Sequence, residues 1–168
     1  HLLSFSCKAS SKDIVLADIA KKEYRNYYYH VKAGHTELLI KYMHPEIIKM
    51  NGGIARFREV LEKNSTKYSH ATLSQIKNDA KVYKTVNGAL VVLNYQLIKP
   101  GSLSELISDK GDFSGSVLAF YNKNSAHWYF VDYFGKKKYE ILKKHIKGLP
   151  DHLPTVADPK YIPRKNGI

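Results

Sequence analysis

Apolar positions recur at helical spacing in the first part of the chain and at strand-like spacing after it. Ile14, Ala17, Ala20, Tyr24, Tyr27, Tyr28 and Val31 lie along one stripe, which is the period of a helix face. Ser10 or Ser11 can cap that helix, Asp13 suits its first turn, and Gly34 supplies a left-handed stop. A second helix is predicted over residues 36–42 through Leu38, Leu39 and Tyr42. It breaks at His44-Pro45, because the residue before a proline is pushed out of the helical region. Pro45 can open a short helical turn to Met50. Asn51-Gly52-Gly53 reads as a turn, and 54–63 as a third amphipathic helix through Ile54, Phe57, Val60 and Leu61.

After Asn64 the period changes. Residues 68–76 and 80–86 read as strands, and Asn87-Gly88 is a two-residue hairpin signal. Residues 89–98 continue as a strand, whose run Ala89-Leu90-Val91-Val92-Leu93 predicts burial on both faces. A polar excursion is expected from Lys99 to about Gly115. A second hairpin then joins 116–121 to 126–133 and is closed by Gly135. A last helix carries Tyr139, Leu142, Ile146 and Leu149 along one stripe, and the tail with Pro150, Pro154, Pro159 and Pro163 is expected to be extended. Helices first and antiparallel strands after predict an α+β fold rather than a βαβ alternation.

Composition narrows the class. A chain of 168 residues suits one domain, and 43% hydrophobic with 25% charged residues is ordinary for a globular protein. A single cysteine excludes a disulfide scaffold and a multi-cysteine zinc site. After Cys7 no apolar run reaches the roughly 18 residues of a transmembrane helix. Leu2-Leu3-Ser4-Phe5-Ser6-Cys7, followed by the polar Lys8-Ala9-Ser10-Ser11, resembles the junction at which a bacterial lipoprotein signal meets its lipid-accepting cysteine. That resemblance implies lipidation at Cys7 and an exported protein, periplasmic or anchored to a membrane of the bacterial envelope. The expected organisation is a signal-type segment over 1–10, one folded domain over 11–155 and an extended tail over 156–168.

Two stretches sharpen the fold. Tyr24-Arg25-Asn26-Tyr27-Tyr28, then Ala33-Gly34-His35, Leu38 and Tyr42-Met43-His44-Pro45 resemble the opening of the nuclear transport factor 2-like superfamily. There a first helix ends at a glycine and the next ends before a proline. His127-Trp128-Tyr129-Phe130-Val131-Asp132, with a helix and Leu149-Pro150 behind it, is similar to the closing strand of uncharacterised, often exported, bacterial members. The resemblance covers residues 12–155. It implies N-terminal helices packed on a strongly curved, mainly antiparallel sheet, a cone with a pocket between the helices and the concave face. The superfamily includes ketosteroid isomerases, polyketide cyclases and dehydratases beside members without known activity, so the fold does not choose the function.

Candidate ligand-binding residues follow from that geometry. Tyr24 and Tyr28 share a helix face, and Tyr42 and His44 stand at the break of the second helix. Alternation along the final strand puts Trp128, Phe130 and Asp132 on one side, and the aromatic pair suggests that this side faces inward. Asp132 is the best acid–base candidate, with Tyr24, Tyr28 or His44 as hydrogen-bond partners. The isomerase arrangement of one tyrosine and two buried acids finds no position-by-position match. No hydrolase elbow, P-loop or dinucleotide fingerprint is present, and no cofactor is implied. The eight histidines form no metal motif; His30 and His35 are five apart.

The charge of 27 Lys+Arg against 15 Asp+Glu gives +12. Lys136, Lys137, Lys138, Lys143, Lys144 and Lys147 fall opposite the apolar stripe of the last helix, as on a solvated face. An anionic membrane surface or envelope polymer suits that surface better than nucleic acid. The leading expectation is a noncatalytic domain that holds a small apolar or amphipathic ligand, or a protein partner, in its pocket; a homodimer is left open. The alternatives are an isomerase, cyclase or dehydratase working through Asp132, and a basic module binding anionic lipids or polymers. An acid facing an enclosed cavity favours chemistry, and one paired with lysine favours binding.

Overall fold

Ser10 starts the first helix through a reciprocal pair of bonds: its hydroxyl accepts from the Asp13 amide, and its own amide donates to the Asp13 carboxylate, both at 3.2 Å. In a computed structural model, which describes residues 10–68, 72–99, 111–133, 135–153 and 160–163, this helix is α1 (Ser11–Ala33). It ends at Gly34, whose φ of +67° is the left-handed conformation that glycine adopts without steric cost. Then come α2 (Thr36–Tyr42), α3 (Pro45–Met50) and α4 (Ile54–Tyr68). α4 runs past Lys63, so Tyr68 is helical rather than the start of a strand. Asn64-Ser65-Thr66 signals a break locally, but extending a helix that is already nucleated costs little.

The strands are β1 (Thr72–Ile76), β2 (Lys81–Thr85), β3 (Gly88–Lys99), β4 (Gly111–Asn122) and β5 (His127–Tyr133). α5 (Lys136–His145) and β6 (Lys160–Pro163) complete the chain. The predicted polar excursion is shorter than expected, because β4 begins at Gly111. Its partners on β3 run without interruption from Gly88↔Asn122 to Lys99↔Gly111, and this ladder overrides the poor strand propensity of Gly111, Asp112 and Gly115. Part of the extended tail is β6, paired with β4 from Gly111↔Pro163 to Ser114↔Lys160. Cys7 and the remainder of the tail lie outside the described residues.

All these ladders are antiparallel and the sheet is open. β3 and β4 form its centre; β1 and β2 share the outer side of β3, and β5 and β6 share the outer side of β4. The break between α2 and α3 lays Met43 beside Phe130 in a parallel bridge on the other side of β5. The α+β order expected from the sequence is therefore present.

Both sheet faces are covered. Val91, Leu93, Val117, Ala119, Trp128 and Phe130 pack with Ala17, Ala20 and Tyr24 of α1. Leu90, Val92, Leu118, Phe120, Val131 and Tyr133 pack with Tyr139 and Leu142 of α5 and with Ile146. The apolar run 89–93 is thus buried on both faces, each large side chain contributing about 1.5–3 kcal/mol. Leu38, Ile54 and Val60, expected inside, are 38%, 52% and 38% exposed. Among the described residues no helix is long and apolar enough to cross a membrane.

Candidate functional site

The ring packing under α1 leaves a space at one end of the sheet. Tyr24, Tyr27 and Tyr28 of α1, Tyr95 and Leu97 of β3 and Asp132 of β5 form one side of a cavity of about 560 Å³. Leu39 of α2, Met50 of α3, Phe57 and Leu61 of α4 and Leu142 of α5 close the other side, with Met43 and Asn51 between helices. The mouth has an apolar lip, since Met50, Val60 and Ile141 are exposed as well as lining, and Lys138 stands there exposed to solvent.

Small residues let the rings approach. Ala17 and Ala20 bring α1 down onto the sheet. Gly115 lies opposite Tyr95 in the β3–β4 ladder, and a Cβ there would stand 2.9 Å from the Tyr95 hydroxyl and 3.0 Å from the Phe113 ring. The Tyr95 ring therefore packs over β4 at a position with no side chain, Gly115, with its centroid 5.6 Å from that of Tyr24. Tyr24 also packs on Phe130 at 5.5 Å and on Tyr27 at 5.8 Å.

Asp132 projects from the same face of β5 as Trp128 and Phe130, paired with Val117 across the ladder. Among the described residues it has no ion-pair or hydrogen-bond partner. Part of its surface stays open because it faces the cavity, yet protein surrounds it, and burial pushes its pKa up to about 6. Burial and the nearby Asp132 charge raise Tyr28 to about 12, and raise Tyr24 and Tyr95 in the same direction. These phenols are therefore neutral at physiological pH. The Tyr28 hydroxyl is buried with no hydrogen-bond partner among the described residues, which is rare because an unsatisfied buried polar group costs about 1–3 kcal/mol.

The expected residues are thus only partly brought together. Tyr24, Tyr28 and Asp132 line the cavity, while Phe130 packs behind Tyr24 and Tyr27. Tyr42 lies behind Tyr27, its hydroxyl donating to Glu23 at 3.4 Å. Trp128 packs on Tyr121, with ring centroids 5.1 Å apart, and does not line the cavity. His44 is elsewhere: it sits in a shallow depression of about 100 Å³ beside Phe120 and Tyr129. Its Nδ1 accepts from the Glu46 amide and caps α3, and burial lowers its pKa. The sequence marks His44 by its place before Pro45, and that place is spent on the cap.

Tyr95, Tyr27, Leu39 and Phe57 were missed. Alternation with Val91 and Leu93 puts Tyr95 on the α1 face, but only the β3–β4–β5 register places it near Asp132. His30 and His35, five apart in sequence, bring their Nδ1 atoms to 3.1 Å, one imidazole donating to the other. Lys143 pairs with Glu140 at 3.1 Å and lies over the Tyr139 ring, while Lys136, Lys137, Lys138, Lys144 and Lys147 are exposed. Compared with known protein families, curated proteins and solved structures, the chain matches none.

Proposed function

We propose that the chain is a binding domain whose cavity receives a small apolar or amphipathic molecule. The observation that carries this reading is an apolar space of about 560 Å³ lined by Asp132, whose carboxylate has no ion-pair partner among the described residues. Its size and its few convergent polar groups are those of a ligand pocket. We further propose a cone of the nuclear transport factor 2-like kind, supported by the long first helix lying across the face that carries Trp128, Phe130 and Asp132.

The test uses a neutral apolar probe, N-phenyl-1-naphthylamine. Its fluorescence should rise on binding and the melting temperature should increase, because a ligand that binds only the folded state stabilises it by mass action. Leu39→Trp, which fills the wall, should abolish both effects while circular dichroism stays unchanged. Wild-type protein that neither brightens the probe nor melts higher overturns the reading.

One observation favours a second reading, an isomerase-type enzyme. Asp132 faces the cavity, no lysine among the described residues pairs with it, and its pKa of about 6 suits a base near neutral pH. Asp132→Asn would then remove turnover of a carbonyl substrate while leaving its binding in place.

A further inference from the structure

Among the described residues, the cavity wall contains one acidic side chain, Asp132. Around Asp132, α1 contributes Tyr24, Tyr27 and Tyr28 and β3 contributes Tyr95, and burial holds the phenols of Tyr24, Tyr28 and Tyr95 in their neutral form. The lining residues of α2, α3 and α4 carry no charged side chain, and α5 contributes Lys138. Lys138 is exposed at the lip, burial raises the Asp132 pKa, and among the described residues no charged partner offsets it.

An occupant must answer that carboxylate. A purely apolar one expels the water that still reaches Asp132 and leaves a dehydrated charge, which is costly unless the carboxyl takes up a proton. An anionic head meets repulsion. A cationic head neutralises the carboxylate, and the surrounding tyrosine faces attract it further, as aromatic rings attract ammonium groups. The net charge of +12 opposes a cation only at long range, and salt screens it beyond about 8–10 Å.

We infer that the cavity selects an amphiphile with a protonated amine head, seated against Asp132 among the tyrosines, and an apolar body filling the space toward α2, α3 and α4. This inference rests on the receptacle reading above and names its ligand class.

The test compares decylamine, decanol and decanoate, three probes with one chain length and different heads, by calorimetry and thermal shift below their micellar concentrations. At about pH 7.5 decylamine should bind roughly tenfold or more tighter than decanol, the gain expected of a charge-assisted hydrogen bond, and decanoate should be weakest. Lowering the pH to about 5 should weaken decylamine as Asp132 takes up a proton, since an alkylammonium stays charged, as lysine does with its pKa of about 10.4. Asp132→Asn should erase the amine preference and leave decanol binding intact. Decanol binding as tightly as decylamine, or an amine preference that survives Asp132→Asn, overturns the inference and leaves the receptacle standing. Failure of all three probes to bind, in wild type and variant alike, overturns both.

Discussion

Asp132 is held among aromatic rings with its pKa near 6, against about 3.9 for an aspartate in an unfolded chain. The folded state therefore binds the extra proton between those values. The stability this contributes is present below about pH 4 and is lost as pH rises through about 6. A shift of about two units corresponds to at most about 3 kcal/mol. Asp132→Asn should accordingly match wild type near pH 4 and exceed it by up to about 3 kcal/mol near pH 7, measured by urea unfolding at both pH values. A gap that does not change with pH would mean that Asp132 is not desolvated in the fold. The side of β5 that carries Asp132 was legible in the sequence, because strict alternation with Trp128 and Phe130 fixes it. That Trp128 ends in the core, against Tyr121, was not legible, since alternation gives a face but no position along the sheet.

At the scale of elements, helix ends were easier to read than strand ends. Ser10, Asp13, Gly34 and Pro45 act within a few residues of themselves, so local chemistry places α1, α2 and α3. β4 begins where β3 provides a partner, and that partner, Lys99 opposite Gly111, lies outside the few residues in which a turn or cap acts. Gly115 shows how this pairing shapes the site, because its missing side chain makes room for Tyr95. Gly115→Ala should push the Tyr95 ring from its seat and cost about 1–3 kcal/mol, as overpacking of a dense core does. Thermal unfolding would show the loss, and probe binding should weaken with it because Tyr95 lines the cavity. An unchanged melting temperature would mean that Tyr95 can move aside freely. Gly34→Ala, at a position with open space around its Cβ, should instead cost about 1 kcal/mol through backbone strain alone and leave binding unaffected.

For the molecule as a whole, the change from helical to strand-like spacing announced the α+β class, and the apolar run 89–93 announced a sheet covered on both faces. The strand at β6 went unread because Pro159 and Pro163 bracket it, and proline within a sheet is confined to edges and strand ends. The ladder of β3 and β4 has a further consequence, in the order in which the sheet can assemble. Two residues separate β2 from β3, four separate β4 from β5, and eleven separate β3 from β4, so each of these closures costs little chain entropy. β6 must return across the thirty-seven residues between Asn122 and Lys160 to reach its place on β4. Pulse-labelled hydrogen exchange should find the amides at the centre of the β3–β4 ladder protected first and those of β6 last; early protection of β6 would overturn that order. The strand that arrives last is also the one whose departure disturbs least: β6 can peel away while β5 keeps its own pairing on the same side of β4.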